Sequence, residues 1–157
     1  MPKPLDGIVD ALQAALQNHW SQIVLYTEQA EHFRRWGYPK LAETFEAYLA
    51  DERSHAQECV ARLEFFDEQP LSQFEEPVWP RHDLEGILQV NYVLDTKAAN
   101  DERAGYLLAV AVGDAESAAI FARLLKGSED GMAEIEAIRL TIDQIGIDNY
   151  LAGQIDG

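Results

Sequence analysis

FEAYLADERSHAQECVARLEFF, residues 45–66, decides the fold. Read at steps of three and four, its apolar stripe runs Phe45, Tyr48, then Glu52 and His55, then Cys59, Leu63 and Phe66. That spacing is the signature of a long amphipathic helix with one buried face. At its centre a carboxylate and an imidazole occupy two positions where core residues belong. Burying such groups is costly unless they are paired. The rest of the chain therefore has to supply partners at the same level.

Working outward, three more long segments carry helical periodicity, and strand alternation is absent. The first, about 5–36, presents Ile8, Leu12, Leu16, His19, Ile23, Tyr26, Ala30 and Phe33, and stops at Gly37 and Pro39. The quoted stretch belongs to a second helix of about 39–66, with Pro39 in its first turn. A third spans about 83–112, with Asp83 as N-cap and Leu84, Leu88, Asn91, Asp95, Ala98, Gly105, Ala109 and Val112 on one face. Gly113-Asp114 turns the chain into a fourth, about 115–145, with Phe121, Leu125, Ser128, Met132, Ile135, Ile138, Ile142 and Ile145. Gly146 closes it, and a short helix of about 147–154 follows. The expectation is one all-α domain over 1–157, with four helices of ~40–48 Å.

The connections discriminate the topology. Short links force the first and second helices, and the third and fourth, into antiparallel pairs. Residues 67–82, with Pro70, Pro77 and Pro80, separate the second from the third. Extended, that link reaches ~53 Å, enough to run the length of the bundle. A four-helix bundle with one long crossover is the ferritin-like arrangement.

Composition narrows the function classes. A net charge of −16 opposes nucleic acid and anionic lipid as partners, since both need clustered Lys and Arg. Carboxylate-rich surfaces instead concentrate cations, or simply keep a protein soluble. No apolar run approaches the ~20 residues of a membrane span. MPKPLDGIVD lacks the apolar core and cleavage site of a signal peptide. Cys59 is the single cysteine, so no internal disulfide forms, and its stripe position makes it a small buried hydrophobe. A cytoplasmic setting is expected.

The polar pair of the second helix has counterparts on the other three. His19 interrupts the first stripe near mid-helix, Asp95 the third and Ser128 the fourth. Midpoints of antiparallel helices share one level, so these side chains should converge with Glu52 and His55. A divalent cation would neutralise such a layer; the structural alternative is a hydrogen-bonded polar layer. Glu52-x-x-His55 places both side chains on one helix face about a turn apart, which suits joint ligation.

Over essentially its whole length the chain resembles the bacterioferritins. The resemblance rests on NHWSQIVLYTEQAEHFRRWGYPKLAE (18–43), ADERSHA (50–56), GDAES (113–117) and IGIDNYLAGQI (145–155), with RRWGYPKLAE the most family-specific. It implies dimers that assemble into a hollow shell of about 24 subunits, with the short fifth helix near a fourfold axis. It also implies a di-iron centre that oxidises Fe(II), and ferric mineral stored in the cavity. The family ligand pattern is a Glu on helix one, Glu-x-x-His on helix two, a Glu on helix three and a second Glu-x-x-His on helix four. At those positions this chain has His19, Glu52 with His55, Asp95, and Ser128 with Gly131. Only the helix-two pair is unchanged. Glu129 and Asp130 flank the lost pair but are rotated away from it by roughly 100° and 200°.

The expected outcome is a single-ion site of His19, Glu52 and His55, with Asp95 or water completing the shell. Fe is the family metal, and the same donors suit Zn(II) or Co(II). Tyr26, on the His19 stripe, matches a family tyrosine near the metal and is a candidate electron donor or a buried core tyrosine. Haem is not expected, because the helix-two methionine that ligates it in the family is Arg53 here; Arg53 is expected to pair across the dimer interface. The functional expectation is an iron-binding or storage shell subunit, homo-oligomeric or mixed with another ferritin subunit, with ferroxidase activity weak or absent. The alternatives are a mononuclear metal-dependent oxidoreductase and a structural bundle subunit with a vestigial site.

Overall fold

The computed structural model of the chain describes residues 3–74 and 83–155. Each apolar stripe becomes a helix: α1 (Ile8–Arg35), α2 (Pro39–Phe65), α3 (Leu84–Val112) and α4 (Ala115–Ile145), followed by the short α5 (Ile147–Ala152). No strand occurs among the described residues. The helix starts follow local chemistry. The Asp83 carboxylate accepts from the Gly86 amide at 2.7 Å and caps α3. Asp114 does the same for α4 through the Ser117 amide at 3.0 Å. Gly113 turns the chain between α3 and α4 at φ 80°, a backbone conformation that a side chain disfavours. The first helix starts at Ile8 rather than near Leu5, because Gly7 sits at φ 79° and interrupts the helical backbone before it.

Cross-helix pairs fix the directions. Gln22 meets Asp95 and Gln29 meets Asn91, so α1 and α3 are antiparallel. Arg62 meets Asp114, and Glu58 meets Arg123, so α2 and α4 are antiparallel too. Arg34 meets Glu46 and His19 meets Glu52, so α1 and α2 are antiparallel; hence α2 and α3 run the same way, and the link between them has to return along the bundle. Its first residues are strapped to α1. The Gln13 amide donates to the Gln69 carbonyl at 2.8 Å and accepts from the Leu71 amide at 3.0 Å, while the Trp20 indole donates to the Leu71 carbonyl at 3.0 Å. Pro77 and Pro80, assigned to this crossover from sequence, lie outside the described residues.

The apolar core comes in two halves. One gathers Leu12, Leu16, Cys59, Leu63, Phe121 and Leu124. The other gathers Phe33, Leu41, Phe45, Leu88 and Ile135 around Tyr26. Gly105 lets α3 approach α4 closely, since a Cβ there would lie 2.6 Å from the Phe121 ring. The fourth stripe holds at Phe121, Ser128 and Ile135, which are buried, and departs from its sequence reading at two positions. Leu124 is fully buried where Leu125 was expected, and Ile145 is 46% exposed. Ile138 and Ile142 near the end of α4 still pack against the second half, where Tyr150 and Leu151 of α5 join them. No described helix is long and apolar enough to cross a membrane.

Candidate metal centre

Between the two apolar halves lies a polar layer drawn from all four long helices. It comprises His19 and Gln22 from α1, Glu52 and His55 from α2, Asp95 and Glu102 from α3, and Ser128 from α4. All are buried except His55, which is half-buried. His19 is the hub. Its Nδ1 lies 2.5 Å from Glu52 Oε2, and its Nε2 lies 3.4 Å from Glu102 Oε1. Glu52 Oε1 faces His55 Nδ1 at 3.9 Å. The other oxygen of Glu102 accepts from the Ser128 hydroxyl at 2.8 Å. Asp95 accepts from the Gln22 amide at 2.5 Å.

Low dielectric makes these contacts decide the protonation states. Burial alone would strip His19 of its proton, but the carboxylates of Glu102 and Glu52 override it and hold the imidazolium up to about 9. Burial would likewise favour a neutral Glu52, yet its contacts with His19 and His55 pull it down to about 2. Asp95 has no such cation beside it. Burial, reinforced by the Glu52 charge, raises it to about 8, and the Gln22 hydrogen bond offsets only part of that.

Two glycines of α4 shape the wall opposite. A Cβ at Gly127 would lie 2.5 Å from His55 Cε1, and one at Gly131 would lie 2.7 Å from Asp95 Oδ2. The imidazole and the carboxylate thus fill space that any larger residue at those positions would claim. This close packing accounts for two glycines inside a helix, each costing up to ~1 kcal/mol relative to Ala. Beside them opens a cavity of about 350 Å³. Glu52, His55 and Asp95 line it, with Tyr26, Phe45, Tyr48 and Leu88 among its walls and Asp51, Arg123 and Asp130 also along it.

The donor set fits a cation. His19, Glu52 and His55 each bring a ligating atom, and these lie within 4.8 Å of one another. Donors ~2.1 Å from one ion in a tetrahedral shell lie ~3.4 Å apart, so closing on an ion takes a contraction of roughly 1 Å at the widest pair. His55 Nδ1 and Asp95 Oδ2 are buried with no hydrogen-bond partner among the described residues, which leaves both available to ligate. Two neutral imidazoles and one carboxylate suit Fe(II), Zn(II) or Co(II).

The four residues expected from sequence therefore share one layer, with Asp95 outside the tightest trio and on the cavity wall. Tyr26 is buried against the rings of Phe45 and Tyr48. Burial and the nearby Asp95 and Glu52 raise its phenol well above the usual range, so it stays protonated. Glu129 and Asp130 are exposed, as their helical angle implied. Arg53 is exposed as well. Sequence reasoning missed Glu102 and Gln22. The signal was present: Glu102 lies four residues after Ala98 and three before Gly105 on the same stripe. Gln22, three residues after His19, takes the buried place assigned to Ile23, which is only half-buried.

Comparison with known proteins bears on the same region. The family model for the ferritin-like domain matches residues 9–145. The bacterioferritin of Brucella melitensis biotype 1 is 26% identical over 162 aligned positions, which cover 99% of this chain and 92% of that protein.

Proposed function

The chain belongs to the ferritin-like family, and from that premise we propose that it is an iron-binding shell subunit holding one metal ion per bundle. The observation that carries this reading is the convergence of His19, Glu52 and His55, with ligating atoms within 4.8 Å of one another. On the α4 side, Ser128 is committed to Glu102 and Gly131 has no side chain, and the α4 carboxylates of Asp130 and Glu134 line the cavity outside the trio. A bound Fe(II) would be cargo or a redox centre that passes electrons to oxygen. The chain's part is to hold it: Glu52 supplies charge, His19 and His55 supply nitrogens, and Asp95 offers an acceptor on the cavity side. Tyr26 is close enough to feel the Asp95 and Glu52 charges and is the candidate electron donor. Assembly as a homo-oligomeric shell, or a mixed shell with another ferritin subunit, belongs to the same reading, as does a cytoplasmic setting. Arg53 in the family's methionine position leaves no haem in it.

A second reading has its own support. His19 between two buried carboxylates can itself act as the neutralising cation, which would make the layer structural. Metal stoichiometry, read together with oxygen consumption on Fe(II) addition, separates the two. The single-ion reading expects about one tightly held metal per chain and slow oxidation. It also expects His55→Ala to remove that metal and Asp95→Ala to weaken it less. Two tight irons per chain with rapid oxidation would refute the single-ion site, and metal content indifferent to both substitutions would leave the structural layer.

A further inference from the structure

His19 is fully buried, and each of its ring nitrogens faces a different carboxylate. Nδ1 points to Glu52, inside the candidate donor set. Nε2 points to Glu102 Oε1 at 3.4 Å, an ion-pair distance, and neither of these two buried atoms has a hydrogen-bond partner among the described residues. An imidazole that ligates through one nitrogen carries its proton on the other, and that N–H needs an acceptor. Glu102 is fully buried, and its second oxygen is held by the Ser128 hydroxyl at 2.8 Å. Ser128 is itself buried in α4. Three helices are thus joined in series, from Ser128 through Glu102 to His19.

We infer that Glu102, anchored by Ser128, is a positioning residue that accepts a hydrogen bond from the Nε2–H of His19 when the metal is bound and so presents Nδ1 to the metal. The inference rests on the single-ion reading above. It gives α4 a role in the centre without a ligand: the hydroxyl at position 128 steers the carboxylate that steers the imidazole. A carboxylate suits position 102 because it accepts from both neighbours at once and strengthens the basicity of the ring it faces.

The test uses the full-length assembled protein loaded with zinc, a diamagnetic probe. Affinity is read by competition with a chelating dye, and the His19 ring nitrogens by ¹⁵N NMR. Glu102→Leu should weaken zinc binding on the order of 10–100-fold and shift the Nε2 resonance of His19. Glu102→Gln, which keeps an acceptor, should recover most of that loss, and Ser128→Ala should fall between. A folded Glu102→Leu protein with wild-type affinity and an unmoved Nε2 resonance would overturn the inference. So would loss of all zinc in Glu102→Gln, which would make Glu102 a ligand. If the wild type holds no zinc, the single-ion reading fails. The metal-free spectra then decide the contact by themselves, because Nε2 shifts with Glu102→Leu only if Glu102 is its partner.

Discussion

His19 makes the polar layer a competition between protons and metal. In the metal-free protein its imidazolium persists to about 9, against 6.5 for a free histidine. A metal taking Nδ1 displaces a proton, so apparent affinity should rise with pH up to that value. Stability follows the same groups. The raised His19 pKa stabilises the fold fully below 6.5, and that contribution is lost as pH climbs to about 9. Asp95, raised from 3.8 to about 8, favours the folded state at low pH and loses this contribution across that interval. Glu52, lowered from 4.5 to about 2, adds stability above 4.5 that disappears as pH falls toward 2. Metal-free protein should therefore soften between pH 6.5 and 9, while zinc-loaded protein holds its denaturation midpoint. Parallel urea titrations of both forms check this. Identical pH profiles would place His19 away from the metal.

Between elements, α1 and α3 meet through a polar seam set between apolar contacts at either end. Gln22 with Asp95 leads to Gln29 and Asn91, whose side-chain amides exchange two hydrogen bonds at 3.0 and 2.9 Å. Gln29 is fully buried and Asn91 is 3% exposed. A reciprocal pair of this kind fixes the register of two long helices, because any slip leaves four polar atoms unpaired. Gln29→Leu should cost about 2 kcal/mol by stranding the Asn91 amide, and Gln29→Leu with Asn91→Leu should recover most of it. Chemical denaturation of the single and double variants measures the difference. A double variant as unstable as the sum of its parts would show that the pair contributes little as a unit.

At the scale of the molecule, the exterior carries apolar side chains that this subunit does not cover. Leu107, Val110 and Val93 of α3 are 60, 55 and 54% exposed, and Leu140 of α4 is 58% exposed. Under the shell reading proposed above, these are groups that neighbouring subunits would cover. The expectation is an assembly of about 24 copies of 17.6 kDa, roughly 420 kDa, in size-exclusion chromatography with light scattering. A stable monomer at physiological salt would contradict it. Adding charge at Leu107, as Leu107→Glu, should shift the population toward smaller species without altering the helical content.

The helices, the Asp caps of the third and fourth, and the level at which the stripes turn polar were all legible from residue order. Those features are local: a stripe with a period of 3.6 residues, Asp83 and Asp114 before helical runs, and His19, Glu52, His55 and Asp95 at mid-helix. Matching helix lengths then forced these four onto one layer. Only the tertiary structure decided which polar residue faces which. Glu102 and Gln22 lie on the same stripes as their neighbours, and a rotation of some tens of degrees about the helix axis separates a core position from a half-buried one. That rotation is set by contacts with other helices, as the exchange of Leu125 for Leu124 in α4 shows. The roles of Gly127 and Gly131 were equally closed to sequence, since a glycine does not reveal whose side chain occupies its missing Cβ. Here the occupants are His55 and Asp95, packed in from two other helices.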